Sequence, residues 1–365
     1  MSLDPAVPGP IRLPGLAEFR PRSALRVART PAAPPAAPLI DAHNHLGRWL
    51  SGWIGRAGDW VVPDVAALVA LMDAAHVEAI VNLDGRWGAE LEANLDRYDR
   101  AYPGRFATFC HVDWSLLATD PEQAPARLAA SLRSSAAAGA RGLKVWKDLG
   151  LAVRDADQRL VLPDDSRLEP LWETAAEIGL PVLIHTADPV AFWWPLDGRN
   201  ERLEELAAHP DWWYGHGGVP SYERLMESLI TTVAAHPDAT FIGAHVCSAA
   251  EDLGRVAGWL DELPNLHVDI AARIAELGRQ PRAAAALIER FPDRVLFGTD
   301  AFPPERADYE LHVRALETAD EQFSYSTDPD DPWPQGRWQI SGLALDAQHL
   351  PALYADNARR LIRFE

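Results

Sequence analysis

Basic residues are scarce in this chain and nowhere gather into a stripe. Thirty-four Lys and Arg stand against 53 Asp and Glu, for a net charge of −19. Nucleic acid and anionic membranes attract cationic surfaces, so this balance argues against both as partners. Acidity of this kind makes a surface soluble and self-repelling, and it identifies no substrate. No apolar run approaches the length of a bilayer span. The first residues lack a charged start followed by an apolar stretch, so secretion is not indicated and the cytoplasm is the expected compartment. Cysteine is nearly absent. Cys110 and Cys247 fall in or just after apolar strand-like runs and read as reduced packing residues rather than a disulfide. No Gly-x-Gly-x-x-Gly turn follows the first strand, which removes the usual sign of an open dinucleotide-binding sheet.

What is present is a set of strands that end in the same kind of residue. Leu39-Ile40-Asp41-Ala42-His43-Asn44-His45 passes from apolar residues into an alternating polar end. On a strand, residues i and i+2 share a face, so His43 and His45 are expected side by side. Two such imidazoles form half of a metal-binding set. Three further apolar runs stop at a ligand-type residue: 180–185 at His185, 240–245 at His245 and 294–300 at Asp300. Near-continuous apolar runs suit buried parallel strands. Strands are expected near 39–45, 79–83, 106–111, 142–146, 182–185, 240–245, 266–270 and 295–300. Amphipathic Ala- and Leu-rich segments separate them, for example 65–75, 122–138 and 168–178. Eight strands alternating with helices predict an α/β fold, a (β/α)₈ TIM barrel, and 365 residues suffice for one such barrel with insertions. The carboxyl ends of all eight strands would then converge on one face, where the four ligand-type ends meet.

The rest of the chain frames that barrel. Residues 1–38 are rich in Pro and Ala and cannot form a helix. They are expected as a disordered leader or an extended arm, and the interspersed Ile11, Leu13, Leu16 and Phe19 favour the arm. Residues 39–365 form a single domain. Two loop insertions stand out: 186–222, with Phe192, Trp193, Trp194, Trp212, Trp213 and Tyr214, and the acidic Trp/Pro-rich 319–340. The aromatics suggest a hydrophobic wall or a subunit contact.

Taken together, Asp-Ala-His-Asn-His at 41–45, Leu-Ile-His-Thr-Ala-Asp-Pro at 183–189, Gly-Ala-His at 243–245 and Leu-Phe-Gly-Thr-Asp at 296–300 resemble the amidohydrolase superfamily. Within it the chain is similar to the aminocarboxymuconate-semialdehyde decarboxylase-like branch of TIM-barrel metal-dependent hydrolases. Asp356-Asn357-Ala358-Arg359-Arg360-Leu361 resembles that branch's closing helix. The resemblance implies one divalent metal held by His43, His45, His185 and Asp300. Three imidazoles and a carboxylate suit Zn²⁺, with Mn²⁺ or Fe²⁺ as alternatives. It implies that Asp300 doubles as the base for a metal-activated water. His245 would polarise substrate or shuttle a proton, or else act as a further or orienting group at the metal. Relatives also imply a homodimer built through barrel-edge insertions.

Lys144, on the fourth strand with Trp146 on its own face, has three readings. It bridges a second metal as a carboxylated lysine, pairs with a carboxylate, or binds an anionic substrate, since an unpaired buried ammonium is costly. Lys147 has the opposite phase and is expected in solvent or at the loop. Arg48 and Arg273 each present a planar fork suited to a substrate carboxylate, with a surface or subunit salt bridge as the alternative for either. Asp269 would orient Arg273, Asp188-Pro189 would form a turn, and His111 has no evident partner. His76, His216 and His236 read as structural or exposed. The expected activity is hydrolysis of an amide, ester or lactone of a small, carboxylated organic molecule. Non-oxidative decarboxylation at the same site is the alternative, and a non-catalytic ligand-binding barrel is a third reading.

Overall fold

The computed structural model describes residues 13–364. Its eight strands are β1 (Leu39–Asn44), β2 (Val77–Asn82), β3 (Phe106–Cys110), β4 (Gly142–Val145), β5 (Val182–Ile184), β6 (Phe241–Gly243), β7 (Leu266–Asp269) and β8 (Val295–Leu296). Each pairs in parallel with the next in chain order. Beyond the short β8, Ala42 donates its N–H to the Phe297 carbonyl and Asp300 donates to the His43 carbonyl, both at 2.9 Å. These two bonds join the eighth strand to the first, and the expected (β/α)₈ TIM barrel results.

The strands bury both faces, which is why they read as apolar runs. Ile40, Ala79, Val81, Phe109, Leu183, Ile242 and Leu296 fill the inside, joined by Ala355, Ala358 and Ile362 from the end of the chain. The other strand face, including Leu39, Phe106, Val182, Phe241 and Leu266, packs against helix residues such as Leu68, Met72, Leu132 and Trp172. Asn357 donates to the carbonyls of Pro292 and Val295 at 2.8 Å each and so ties the closing helix to β8. Helices 65–74, 222–235 and 253–262 begin at Asp64, Ser221 and Asp252, whose side chains accept from a backbone N–H of the first turn. Such a cap contributes about 1 kcal/mol.

Ile11, part of the expected arm, lies outside the described residues. From Leu13 onward the segment before β1 is held by polar contacts. Thr30 donates through its backbone and hydroxyl to Asp320, Ala36 donates to Glu317, and Arg337 donates to the carbonyls of Leu16 and Phe19. The side chains of Leu13, Leu16 and Phe19 stay exposed. A cavity of about 710 Å³ lies between residues 27–33 and the region 310–327, away from the strand-end histidines. Among the described residues, no helix is long and apolar enough to cross a membrane.

Candidate active site

The strand ends do not simply stop; they turn sharply. His245, Val246, Cys247 and Ser248 all have φ between 55° and 58°, and Asp300 has φ 58°. Consecutive non-glycine residues in this left-handed region are strained, and strain of this kind collects at functional sites. The tight turn after β6 also requires Gly243, since a Cβ there would collide with Cys247 Sγ. At β1, the register with β2 shifts between Asp41 and Asn44. His43 and His45 therefore reach the rim through an irregular strand end rather than through strict alternation.

Two buried carboxylates orient these imidazoles. Asp269 Oδ2 accepts from His43 Nδ1 at 2.8 Å, and Asp84 Oδ1 accepts from His45 Nδ1 at 2.6 Å. With the proton on Nδ1, each ring directs an Nε2 lone pair inward. Both lone pairs face Asp300 Oδ1, at 3.8 Å from His43 and 3.5 Å from His45. That oxygen is buried and has no hydrogen-bond partner among the described residues. His245 donates from Nδ1 to the Ala271 carbonyl at 2.8 Å, which leaves its Nε2 lone pair 3.9 Å from Asp300 Oδ2. His43, His245 and Asp300 offer ligand atoms within 4.8 Å of one another. His43 Nε2 meets the Lys144 ammonium at 3.4 Å; the other converging lone pairs share no proton and repel unless a cation lies between them, so this donor set fits a divalent metal.

His185 stands one ring further out. It packs edge-on against His245 at 4.4 Å, with Nε2 3.2 Å from the Ala187 carbonyl. It does not join the compact group as it stands. Burial, the largest influence, holds His43, His185 and His245 well below the usual imidazole range, and nearby cations add to it. All three are neutral, as metal ligands must be. Burial raises Asp300, against the pull of His45 and Lys144. Asp41 anchors the whole corner: its carboxylate accepts from Thr299 N and Oγ1 and from Tyr309, which fixes the loop that carries Asp300.

Lys144 points inward as the alternation on β4 predicts, with Nζ 3.4 Å from His43 Nε2. Burial pushes its ammonium down to about 8, opposed by Asp300, Asp269, Asp84 and Asp148. Lys147 lies in the loop after β4, one of its two expected places, but is paired rather than in solvent. β4 ends at Val145, so strand phase no longer governs position 147. Its ammonium pairs with Asp188 at 2.8 and 2.6 Å, and Tyr214 donates to the same carboxylate. Asp188 is thus the anchor of a cavity wall as well as part of a turn. These are the only two lysines of the chain.

Arg48 forms a salt bridge, the second of its two expected roles. Its guanidinium forks onto Glu90 at 3.0 and 2.5 Å and lies over Trp60, outside the cavity. Glu90 comes from helix 88–97, a partner that no local pattern around Arg48 announces. Asp269 orients His43 and the backbone of His245 and Ala271 rather than Arg273. His111 has partners after all: Nε2 donates to the Leu83 carbonyl at 2.6 Å, and Arg86 meets Nδ1. Arg273 does line the cavity, is buried, and has no carboxylate within ion-pair distance among the described residues.

That cavity, about 250 Å³, opens over His45, His245 and Asp300. Trp53, Trp146, Phe192, Trp212 and Phe302 form its apolar walls, and Trp53 lies 5.9 Å from Trp146 and 5.8 Å from Trp212. Part of the aromatic set in 186–222 is therefore a wall, while Trp194 remains exposed.

A closed parallel barrel with histidines and an aspartate at the carboxyl rim defines an enzyme of the metal-dependent TIM-barrel class. The chain belongs to the amidohydrolase family, whose family model matches residues 40–364, in agreement with the motifs. Among solved structures it is similar to 2,6-dihydroxybenzoate decarboxylase from Rhizobium, at 16% identity and TM-score 0.53 over 89% of this chain and 98% of that one. It is also similar to 5-carboxyvanillate decarboxylase from Sphingomonas paucimobilis, at 15% identity and TM-score 0.51 over 89% and 99%. An amidohydrolase from Burkholderia multivorans with bound HEPES matches at 17% identity and TM-score 0.51 over 89% and 99%. At these identities the likeness concerns the fold. No curated protein sequence matches the chain.

Proposed function

We propose that this enzyme is a metal-dependent hydrolase acting on an amide, ester or lactone bond of a small, carboxylated organic molecule. The observation that carries the proposal is the partnerless Asp300 Oδ1, faced by the Nε2 lone pairs of His43 and His45. These three would hold one divalent ion, with Zn²⁺ the best match to the donors. His185 would complete the set by turning from the Ala187 carbonyl. When bound, the ion would supply Lewis acidity and an activated water. Asp300 takes the proton of the attacking water, its carboxyl already raised toward proton affinity by burial. His245, neutral and with Nε2 free, receives or returns that proton near the substrate. Arg273, whose Nη1 donates to the Ala272 carbonyl at 2.7 Å but which meets no carboxylate among the described residues, binds the substrate carboxylate through its remaining donors. The aromatic walls exclude water and hold a flat apolar body. We further propose an arm at 1–38 outside a barrel domain at 39–365, a cytoplasmic location, where buried Cys110 and Cys247 stay reduced, and a homodimer.

Decarboxylation is a second reading, favoured by Lys144. This ammonium, beside His43 and with its proton loosened by burial though not itself in the cavity lining, would supply the proton to carbon after CO₂ departs. The two readings separate on product. A panel of lactones, esters, amides and ring carboxylates, incubated with metal-loaded enzyme in ¹⁸O water, should give ¹⁸O in the product carboxylate and no CO₂. Released CO₂ without ¹⁸O incorporation would select decarboxylation, and neither outcome on any member would sink both.

On the substrate that the panel identifies, Arg273→Ala should raise KM by about ten- to a hundredfold, the range for losing a charge-assisted hydrogen bond. Arg48→Ala, which removes only the Glu90 pair and the Trp60 contact, should leave kcat/KM within about twofold. Equal effects of the two variants would refute the assignment of the carboxylate to Arg273.

A further inference from the structure

Three carboxylates and two guanidiniums meet where the 186–222 insertion packs on the barrel. Arg202, buried to 1% exposure, pairs with the equally buried Glu276, and its Nη1 donates to Glu205 Oε2 at 2.9 Å. Glu251 and Arg273 act on the same group from the barrel side. Tyr325, from the second insertion, faces it too, but its hydroxyl is committed to the Gly336 carbonyl. Of the three acids, Glu205 is the one that lines the cavity over Asp300. Its Oε1 has no hydrogen-bond partner among the described residues. Arg273 lines the same cavity.

Charge counting explains why this carboxyl is not spent on Arg202. Three acids face two bases, so one acid is in surplus. Burial and then Glu276 push Glu205 up to about 7, against the pull of Arg202 and Arg273. The free oxygen opens to the cavity beside Arg202 and Arg273, where a ligand group can replace the water that otherwise meets it.

We propose that Glu205 is a specificity-determining residue whose free oxygen accepts a hydrogen bond from a hydroxyl or amine of the substrate, beside the carboxylate on Arg273. This rests on reading the cavity as the substrate site. A site that hydrogen-bonds a substrate hydroxyl rejects analogues lacking it, because its own group is left unpaired.

The test uses two probes on the metal-loaded full chain, 4-fluorophenol and 4-fluorobenzoate, with binding followed by ¹⁹F NMR. Glu205→Leu should weaken fluorophenol by about tenfold or more, and Glu205→Gln, which keeps its carbonyl oxygen on Arg202 and turns an NH₂ rather than an acceptor to the cavity, should weaken it too. Fluorobenzoate should change by less than about twofold in both variants, and this selectivity is what a merely structural role would not give. Glu205→Ala serves where the leucine variant does not fold. Equal fluorophenol affinity in the parent and the apolar variants, or no fluorophenol binding to the parent, would overturn the assignment. Arg273→Ala is the separate arm. Unchanged fluorobenzoate binding there would remove Arg273 as the carboxylate anchor, and Glu205 would still be decided by fluorophenol.

Discussion

Asp300→Asn should leave the barrel folded and lower turnover by about 10²- to 10⁴-fold, the contribution of a positioned general base. Asparagine keeps the shape of the side chain but cannot take a proton from water. It also removes the negative charge toward which His43 and His45 direct their lone pairs. Backbone anchoring should survive, because Asp300 N bonds to the His43 carbonyl and its loop is held by Asp41 through Thr299. Elemental analysis of protein purified without chelator should give one divalent metal per parent chain, a reduced content in Asp300→Asn, and essentially none in His43→Ala. Two metals per parent chain would revive the bridging reading of Lys144. If Asp300→Asn turns over within about tenfold of the parent at equal metal content, Asp300 is not the base.

Much of this site could be read along the chain because each ligand-type residue ends an apolar run. A parallel barrel strand is buried on both faces, so a histidine at its carboxyl end interrupts a clear pattern. All eight strands were legible for the same reason. Lys144 and Trp146 followed from alternation within β4, and the Asn-Ala pair at 357–358 matches the contacts that close the barrel.

The residues that sequence reading missed act across the fold. Asp84 sits after β2 and orients His45, yet Asn82-Leu83-Asp84 looks like any polar strand end. Its signal was available in principle, since it too is an acid at a strand terminus. The salt-bridge partner of Arg48 could not be named from the sequence, because Glu90 lies on a helix 42 positions away. Lys147 and Asp188 meet across two loops once the strands have ended, where periodicity carries no information. Glu205 comes from an insertion whose helical stretch, Leu203–Ala208, is too short to announce itself by pattern.

The least anticipated of these roles belongs to Asp269, and its amide variant isolates it. One oxygen of the carboxylate accepts from the backbone of His245 at 2.8 Å and of Ala271 at 3.1 Å, the other from His43 Nδ1. In Asp269→Asn the amide oxygen should stay with the two backbone donors. Its NH₂ then faces His43 Nδ1, which can meet a donor only by giving up its own proton. The imidazole switches tautomer, and Nε2, the atom aimed at Asp300, carries the hydrogen and cannot bind a metal. A chelator competition should show metal affinity lower by about 10- to 100-fold, the usual effect of losing an orienting carboxylate. Nitrogen NMR of His43 should report the exchanged tautomer. Asp269→Ala separates orientation from stability: it orphans buried donors at about 1–3 kcal/mol each and should melt well below the asparagine variant. Parent-like metal affinity in Asp269→Asn would mean that His43 keeps its tautomer without this carboxylate. Metal binding at His43 would then not depend on Asp269.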